Sequence, residues 1–145
     1  MLKEALSRNG PTVIRYPRGI LPAAVLSGPC SGPAVQVVSP DAKTQIWAAG
    51  DQLAKALAVA GKTGCGVVYA RYLKPHGEEL LLRQRREGKR IVSLENAAVS
   101  GGFGEAIGAE LKFGWPDRFM PHAEVCELER EAGFDVEAIT EAING

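Results

Sequence analysis

The chain has 145 residues, the size of one ordinary domain. Its 17 acidic side chains balance 17 basic ones, and 46% of its residues are hydrophobic. This neutral, average composition gives no electrostatic reason to expect nucleic acid or an anionic membrane as a partner. The sequence has no apolar run near the roughly 20 residues that span a bilayer, and no secretory signal, so we expect a cytoplasmic protein. The cysteines Cys30, Cys65 and Cys126 are far apart and are expected to be free thiols.

Residues 1–32 differ from the rest of the chain. A short helix is predicted from Leu2 to Arg8, and a strand is predicted over residues 12–16, which are rich in β-branched and aromatic types. Glycine and proline recur through residues 19–33, which is typical of a linker. A helix and a strand without a following partner cannot bury themselves, so this segment is predicted to be the tail of a preceding domain.

Strands and helices alternate from Ala34 onward. The predicted strands are Ala34–Val38, Lys43–Ala49, Cys65–Tyr69 and Arg90–Leu94. Only four residues separate the first two apolar runs, which predicts an antiparallel hairpin. The predicted helices run from a cap at Asp51 to Gly61, from Pro75 to Gly88, from Gly101–Gly104 to about Leu111, over about 123–132, and from a cap at Asp135 onward. This alternation predicts a mostly parallel sheet with helices on both faces.

Three glycines, Gly101, Gly102 and Gly104, lie between a predicted strand and a predicted helix. The GxGxxG spacing fails, because Ile107 stands where the third glycine would be. A helix N-terminus without obstructing side chains can meet an anion or pack against another backbone. We therefore predict an anion-binding or interface turn, and a tight turn with neither role remains the alternative.

The other candidate motifs give weaker signals. Gly61-Lys62-Thr63 resembles the end of a phosphate-binding loop, but it closes a predicted helix instead of opening one. The basic residues within 83–90 are typical of a solvated helix end. His76 and His122 have no partners at metal-ligand spacing, so no metal site and no catalytic group is predicted in this part of the chain.

Arg15 and Arg18 flank Tyr16-Pro17. Proline restricts the local backbone, and Gly19 permits a close approach. A guanidinium group is well suited to bidentate phosphate binding. From the spacing alone, a structural turn and a phosphate site both remain open.

Four segments, in chain order, resemble the 1-deoxy-D-xylulose-5-phosphate synthase family, which is related to transketolase. They are GPTVIRYPRG at 10–19, ARYLKP with EEL within 70–80, EN with VSGGFG within 95–104, and GWPDRF with His122 and AGFD within 114–135. The fourth is the most specific, because related 2-oxoacid dehydrogenase β subunits share the KP and GGFG parts but not this ending.

The resemblance implies a three-layer α/β fold of the transketolase C-terminal type, with a mostly parallel five-stranded sheet, one antiparallel edge strand and helices on both faces. Residues 1–32 would then be the tail of the pyrimidine-binding domain plus a linker, and 33–145 the transketolase C-terminal-like domain. Only residues 105–114 separate Gly104 from Trp115. The family has about twice as many residues between the corresponding motifs. A truncated strand there would leave a frayed sheet edge or one completed by a partner.

The resemblance also implies a function. The family condenses pyruvate with D-glyceraldehyde 3-phosphate, with loss of CO₂, using thiamine diphosphate and Mg²⁺. The cofactor-binding domains are substantially missing here, so the chain alone is expected to bind no cofactor and to be inactive. Its implied partners are the N-terminal and middle domains, or a separate subunit, within a homodimeric enzyme. Arg18 is implied to bind the phosphate of the aldehyde substrate.

The chain departs from the family pattern at one acidic position, and two other hypotheses stay open. The family usually reads EEN where this chain has Leu94-Glu95-Asn96, so one carboxylate is missing. A stand-alone interaction or dimerisation module that partners a separate thiamine-binding subunit is one alternative. A small-ligand regulatory domain that uses the helix N-terminus after Gly104 is another.

Overall fold

A computed structural model of the chain describes residues 2–16 and 31–145. Five strands form one sheet in the order β1-β3-β2-β4-β5. The strands are β1 (Ala34–Val38), β2 (Thr44–Ala49), β3 (Gly66–Ala70), β4 (Arg90–Ala98) and β5 (Leu111–Trp115). β1 pairs antiparallel with β3, and the other three pairs of neighbours are parallel. The predicted sheet, mostly parallel with one antiparallel edge strand, is therefore confirmed.

Helices cover both faces of this sheet. The described helices are α1 (Leu2–Leu6), α2 (Leu53–Thr63), α3 (Glu78–Arg86), α4 (Phe103–Ala106), α5 (Val125–Glu131) and α6 (Val136–Asn144), of which α2, α3, α4 and α6 pack in the two cores. Because side chains alternate along a strand, β1, β2, β3 and β4 each contribute to two cores, whereas β5 contributes to one. In β2, Ile46 and Ala48 pack with α2 and α6, whereas Trp47 and Ala49 pack with α3 and α4. All four are buried, which accounts for the uninterrupted apolar run in the sequence.

The predicted hairpin between β1 and β2 is wrong, because β3 lies between these two strands. Residues 39–43 connect them, and an extended chain reaches about 3.3 Å or more per residue. That is enough to cross two strand spacings of about 4.8 Å, so a short connection does not enforce direct pairing.

A buried chain of amide side chains attaches the edge strand β1. Gln36 Nε2 donates to Gln45 Oε1 at 2.9 Å, and Gln84 Nε2 donates to Gln36 Oε1 at 2.9 Å. Gln84 Oε1 in turn accepts from Trp47 Nε1 at 2.8 Å. These hydrogen bonds join β1, β2 and α3, and they satisfy polar groups that would be costly to bury alone.

The predicted strand over residues 12–16 is also wrong, since no ladder forms there. Val13 is 93% exposed and Tyr16 is 78% exposed. β-branched and aromatic residues favour a strand only where a neighbouring strand can pair with them, and the described chain offers none to this segment.

Several helix boundaries differ from those predicted. α2 continues through Gly61, and the left-handed residue Gly64, with φ of +73°, ends it instead. Asp51 does not cap α2 with its side chain. α3 begins three residues after Pro75, and α4 ends at Ala106 and not near Leu111. The predicted cap at Asp135 is confirmed, because its Oδ1 accepts from the Ala138 N–H at 2.9 Å.

Candidate functional site

An irregularity near the carboxyl end of β4 brings several polar groups together. β4 pairs regularly with β5 as far as Leu94 and then pairs again only at Ala98. Residues 95–97 therefore lie opposite Gly114 alone. Bulges of this kind redirect side chains and are frequent beside functional sites.

Glu95 points from this bulge into the protein. It is 3% exposed, and its carboxylate accepts from the backbone N–H groups of Phe103 and Gly104, both at 2.8 Å. A Cβ at position 102 would lie 2.7 Å from both carboxylate oxygens, so Gly102 permits the close approach. Gly101, at the start of the turn, has φ of +68°. The three predicted glycines thus form a tight turn around a buried carboxylate.

This geometry bears on the predicted anion site. The N–H groups of Phe103 and Gly104 already donate to Glu95, so an external anion would have to displace a buried carboxylate. The anion-binding or interface role of Gly101, Gly102 and Gly104 stays a prediction.

Asn96, the next residue in the bulge, takes part in a second set of contacts. Its side-chain Nδ2 donates to Asp51 Oδ2 at 3.0 Å, and its Oδ1 accepts from Trp115 Nε1 at 2.7 Å. Its backbone carbonyl accepts from the guanidinium group of Arg15. Asp51 follows β2, Asn96 lies in β4 and Trp115 ends β5, so the three residues meet at the carboxyl edge of parallel strands. This is the edge where open α/β sheets bind ligands.

The sequence reasoning missed this cluster, although a signal for it existed. Strands β2, β4 and β5 each end beside one polar or aromatic residue, namely Asp51, Asn96 and Trp115. The carboxyl ends of parallel strands lie at one edge, so these residues could have been grouped. The local pattern instead favours Asp51 as a helix cap, which hides its place in the cluster.

The carboxyl end of β3 makes another contact with the N-terminal segment. Arg71 donates to Glu4 Oε2 at 2.9 Å and to the Gly32 carbonyl at 2.5 Å, and the Tyr72 hydroxyl donates to Glu4 Oε1 at 2.9 Å. The guanidinium carbon of Arg8 lies 4.6 Å from the centre of the Tyr72 ring. The Tyr72 hydrogen bond, helped by the Arg71 charge, lowers the pKa of Glu4 below its ordinary value, against the opposing effect of desolvation.

Some predicted residues do not join either cluster. Arg18 and Cys30 lie outside the described residues. Cys65 is buried and Cys126 is exposed, and both are free thiols as expected. Within residues 2–16 and 31–145, no three His, Cys, Asp or Glu side chains are placed to hold a metal ion. None of the helices among these described residues has the length and apolarity to cross a membrane.

Comparison with solved structures defines the class of protein. No family model matches the chain. A structure described as "Split gene transketolase, inactive beta4 tetramer" is 28% identical with a TM-score of 0.62, over 72% of this chain and 38% of that one. The R525L transketolase mutant from Pichia stipitis is 23% identical with a TM-score of 0.59, over 77% and 17% of the two chains. The chain is therefore an α/β domain of the transketolase C-terminal type.

Curated relatives narrow this class. The chain is 34% identical to the 1-deoxy-D-xylulose-5-phosphate synthase of Pseudomonas syringae pv. syringae, and 36% identical to that of Thermus thermophilus. Each match covers 99% of this chain and 25% of the relative, so the chain spans about a quarter of these enzymes. The predicted resemblance to the C-terminal part of the 1-deoxy-D-xylulose-5-phosphate synthase family is thereby confirmed over nearly the whole chain.

Proposed function

We propose that this chain is the C-terminal domain of a 1-deoxy-D-xylulose-5-phosphate synthase, preceded by a short lead-in at residues 2–16. The supporting observation is the match over 99% of the chain, which includes the lead-in as well as the α/β domain. The complete enzyme would condense pyruvate with D-glyceraldehyde 3-phosphate and release CO₂, in isoprenoid and thiamine precursor biosynthesis. Thiamine diphosphate, held with Mg²⁺ by the remaining domains, would supply the carbanion chemistry.

Within that enzyme the chain has a supporting role. Its α/β domain holds the lead-in in place, completes the subunit and contributes to the contact between the two subunits of a homodimer. The isolated chain is inactive. Arg18 binds the phosphate of the aldehyde substrate, because a guanidinium group can donate two parallel hydrogen bonds to phosphate oxygens.

A chimeric enzyme tests this function. The matched quarter of the Thermus thermophilus enzyme is replaced by this chain, and turnover is measured with both substrates, thiamine diphosphate and Mg²⁺. We expect turnover from the chimera and none from the isolated chain or from the enzyme truncated before this quarter. Turnover by the isolated chain would contradict the proposal, as would a folded chimera that binds thiamine diphosphate but does not react.

Arg18→Ala tests the substrate contact in the same chimera. We expect the KM for the aldehyde phosphate to rise about 10- to 100-fold, the factor for losing charge-assisted hydrogen bonds, with little change in the KM for pyruvate. Arg86→Ala, which removes an exposed arginine at the end of α3, is the matched control. Equal increases for both substrates would show that Arg18 does not hold the phosphate.

A second candidate function is a separate subunit that pairs with a thiamine-binding chain. The observation that favours it is the similarity to a protein described as a split gene transketolase. Mixing the isolated chain with the truncated Thermus enzyme distinguishes the two. Restored turnover without a covalent connection favours a separate subunit, whereas turnover only from the fusion favours a domain.

A further inference from the structure

The carboxyl edge of the sheet is contacted by the chain's own N-terminal segment. Two contacts fix residues 2–16, which we call the lead-in. One is the pair of hydrogen bonds that Glu4 accepts from Arg71 and Tyr72, and the other is the bond from Arg15 to the Asn96 carbonyl. Glu4 and Arg15 thus reach the ends of different strands, β3 and β4, which restrains both position and direction of the lead-in.

We propose that Asn96 is a positioning residue that fixes Arg15, and with it the second half of the lead-in, on this edge. Asn96 has no partner residue in the ladder with β5, because it lies within the bulge, and none in the ladder with β2, which ends at Leu94. Its carbonyl is therefore available to a group outside the sheet, and the Arg15 guanidinium occupies it. A hydrogen bond from a charged donor is stronger than one between neutral groups.

The side chain of Asn96 explains why the bulge holds its shape. Asp51 presents a carboxylate, which only accepts, and the Trp115 indole N–H only donates. Asparagine offers a donor and an acceptor on one planar group and so satisfies both neighbours. An ionised aspartate could not donate to Asp51, and alanine would leave both neighbours without this partner.

One consequence rests on the proposed function. Arg15 precedes Arg18 by three residues, and a chain extends by at most about 3.6 Å per residue. Holding Arg15 at this edge would therefore limit how far from the edge the covalently connected Arg18 can reach. Through Arg15, Asn96 would influence the binding of the aldehyde phosphate without touching it.

The first experiment uses the isolated chain and does not depend on enzymatic activity. Limited digestion with trypsin measures cleavage after Arg15, with cleavage after Arg86 as the internal reference. Asn96→Ala keeps the backbone carbonyl but removes the side chain that holds the bulge in shape. We expect the carbonyl to be displaced from Arg15 and cleavage after Arg15 to accelerate about tenfold, the effect of losing one charge-assisted hydrogen bond. Asn144→Ala, at the exposed end of α6, is the matched control and should leave both rates unchanged. An unchanged rate after Arg15 in a folded Asn96→Ala protein would overturn the proposal.

A reciprocal variant covers the case in which Asn96→Ala does not fold. Arg15 is exposed, so Arg15→Ala should leave the fold intact. The NMR signal of the Trp115 indole N–H should shift, while that of Trp47, which donates to buried Gln84, should not. If neither the Trp115 nor the Asn96 signals move, Arg15 is not held at this edge and the inference is wrong.

The chimeric enzyme then tests the consequence for catalysis. Asn96→Ala should raise the KM for the aldehyde phosphate with little loss of kcat, and combining it with Arg15→Ala should raise that KM no further. Additive increases would show that Asn96 does not act through Arg15. The trypsin and NMR experiments on the isolated chain decide separately whether Arg15 is held at this edge. A folded chimera that binds thiamine diphosphate but does not react would therefore contradict the proposed function and not the positioning of Arg15.

Discussion

Gly66 provides space for a buried amide. It pairs with Gln45 across β2 and β3, and a Cβ at this position would lie 2.1 Å from Gln45 Oε1. Gln45 cannot move away freely, because its Nε2 donates to the carbonyls of Ser39 and Ala42 at 3.0 and 2.9 Å. The glycine therefore permits the polar network that attaches β1.

Gly66→Ala is expected to destabilise the chain by about 1–3 kcal/mol, through overpacking and the loss of buried hydrogen bonds. Urea unfolding measures the change. Gly61→Ala is the matched control, since Gly61 is an exposed residue inside α2 and an added Cβ there would meet no atom within 4 Å. That variant should gain up to about 1 kcal/mol, because alanine favours a helix. Equal effects of the two variants would exclude this account of Gly66.

Glu95 is the residue on which the glycine turn depends. Its two oxygens each accept one backbone N–H, and a glutamine would present one oxygen and one NH₂ group to the same donors. We expect Glu95→Gln to lower the free energy of unfolding by about 1.5–3 kcal/mol, measured in urea at neutral pH. Glu141→Gln, on the exposed side of α6, should change it little. Unchanged stability in Glu95→Gln would mean that the turn does not need the carboxylate.

At the scale of elements, α6 begins where the sequence predicts. Asp135 accepts from the Ala138 N–H, and α6 packs with α2 in the same core. Asp135→Ala should cost about 1 kcal/mol of stability, the usual effect of losing an N-cap side chain. Thermal unfolding measures this, with Asp117→Ala in an exposed loop as the control. A loss no larger than that of the control would show that the cap contributes nothing.

Elements were predictable wherever local signals agreed with the final packing. β2 and β3 are buried on both faces, so their apolar runs were clear. The predicted α4 is too long, because residues 105–111 favour a helix locally. Gly108, at φ of +59°, ends that helix, and β5 begins at Leu111. The short connection between β1 and β2 predicts that these two strands pair, which is wrong. The length of a connection does not indicate whether another strand, here β3, lies between the two strands it joins.

At the scale of the whole molecule, the mostly parallel sheet followed from the alternation of strands and helices, but the docking of the lead-in did not. That docking depends on contacts between Glu4 and Arg71 and between Arg15 and Asn96, which are 67 and 81 residues apart. No periodicity or spacing connects such residues. The bulge that exposes the Asn96 carbonyl is likewise a property of how β4 and β5 pair, and the sequence of either strand alone does not reveal it.

The attachment of α1 should depend on pH through Glu4. The hydrogen bond from Tyr72, with the charge of Arg71, holds the pKa of Glu4 below the 4.5 of a free carboxyl group. Glu4 has a lower pKa when the lead-in is docked than when it is released. The contribution of the Glu4 carboxylate to docking is therefore fully present above about pH 4.5 and is lost as the pH falls through the lower pKa of the docked state. We expect the NMR signals of the α1 amides to move toward those of a released lead-in below this pH. In the Glu4→Gln variant the lead-in should dock more weakly at pH 7, and the shift of the α1 signals with pH should be absent. If the α1 signals of this variant shift with pH as in the parent chain, a group other than Glu4 causes the pH dependence.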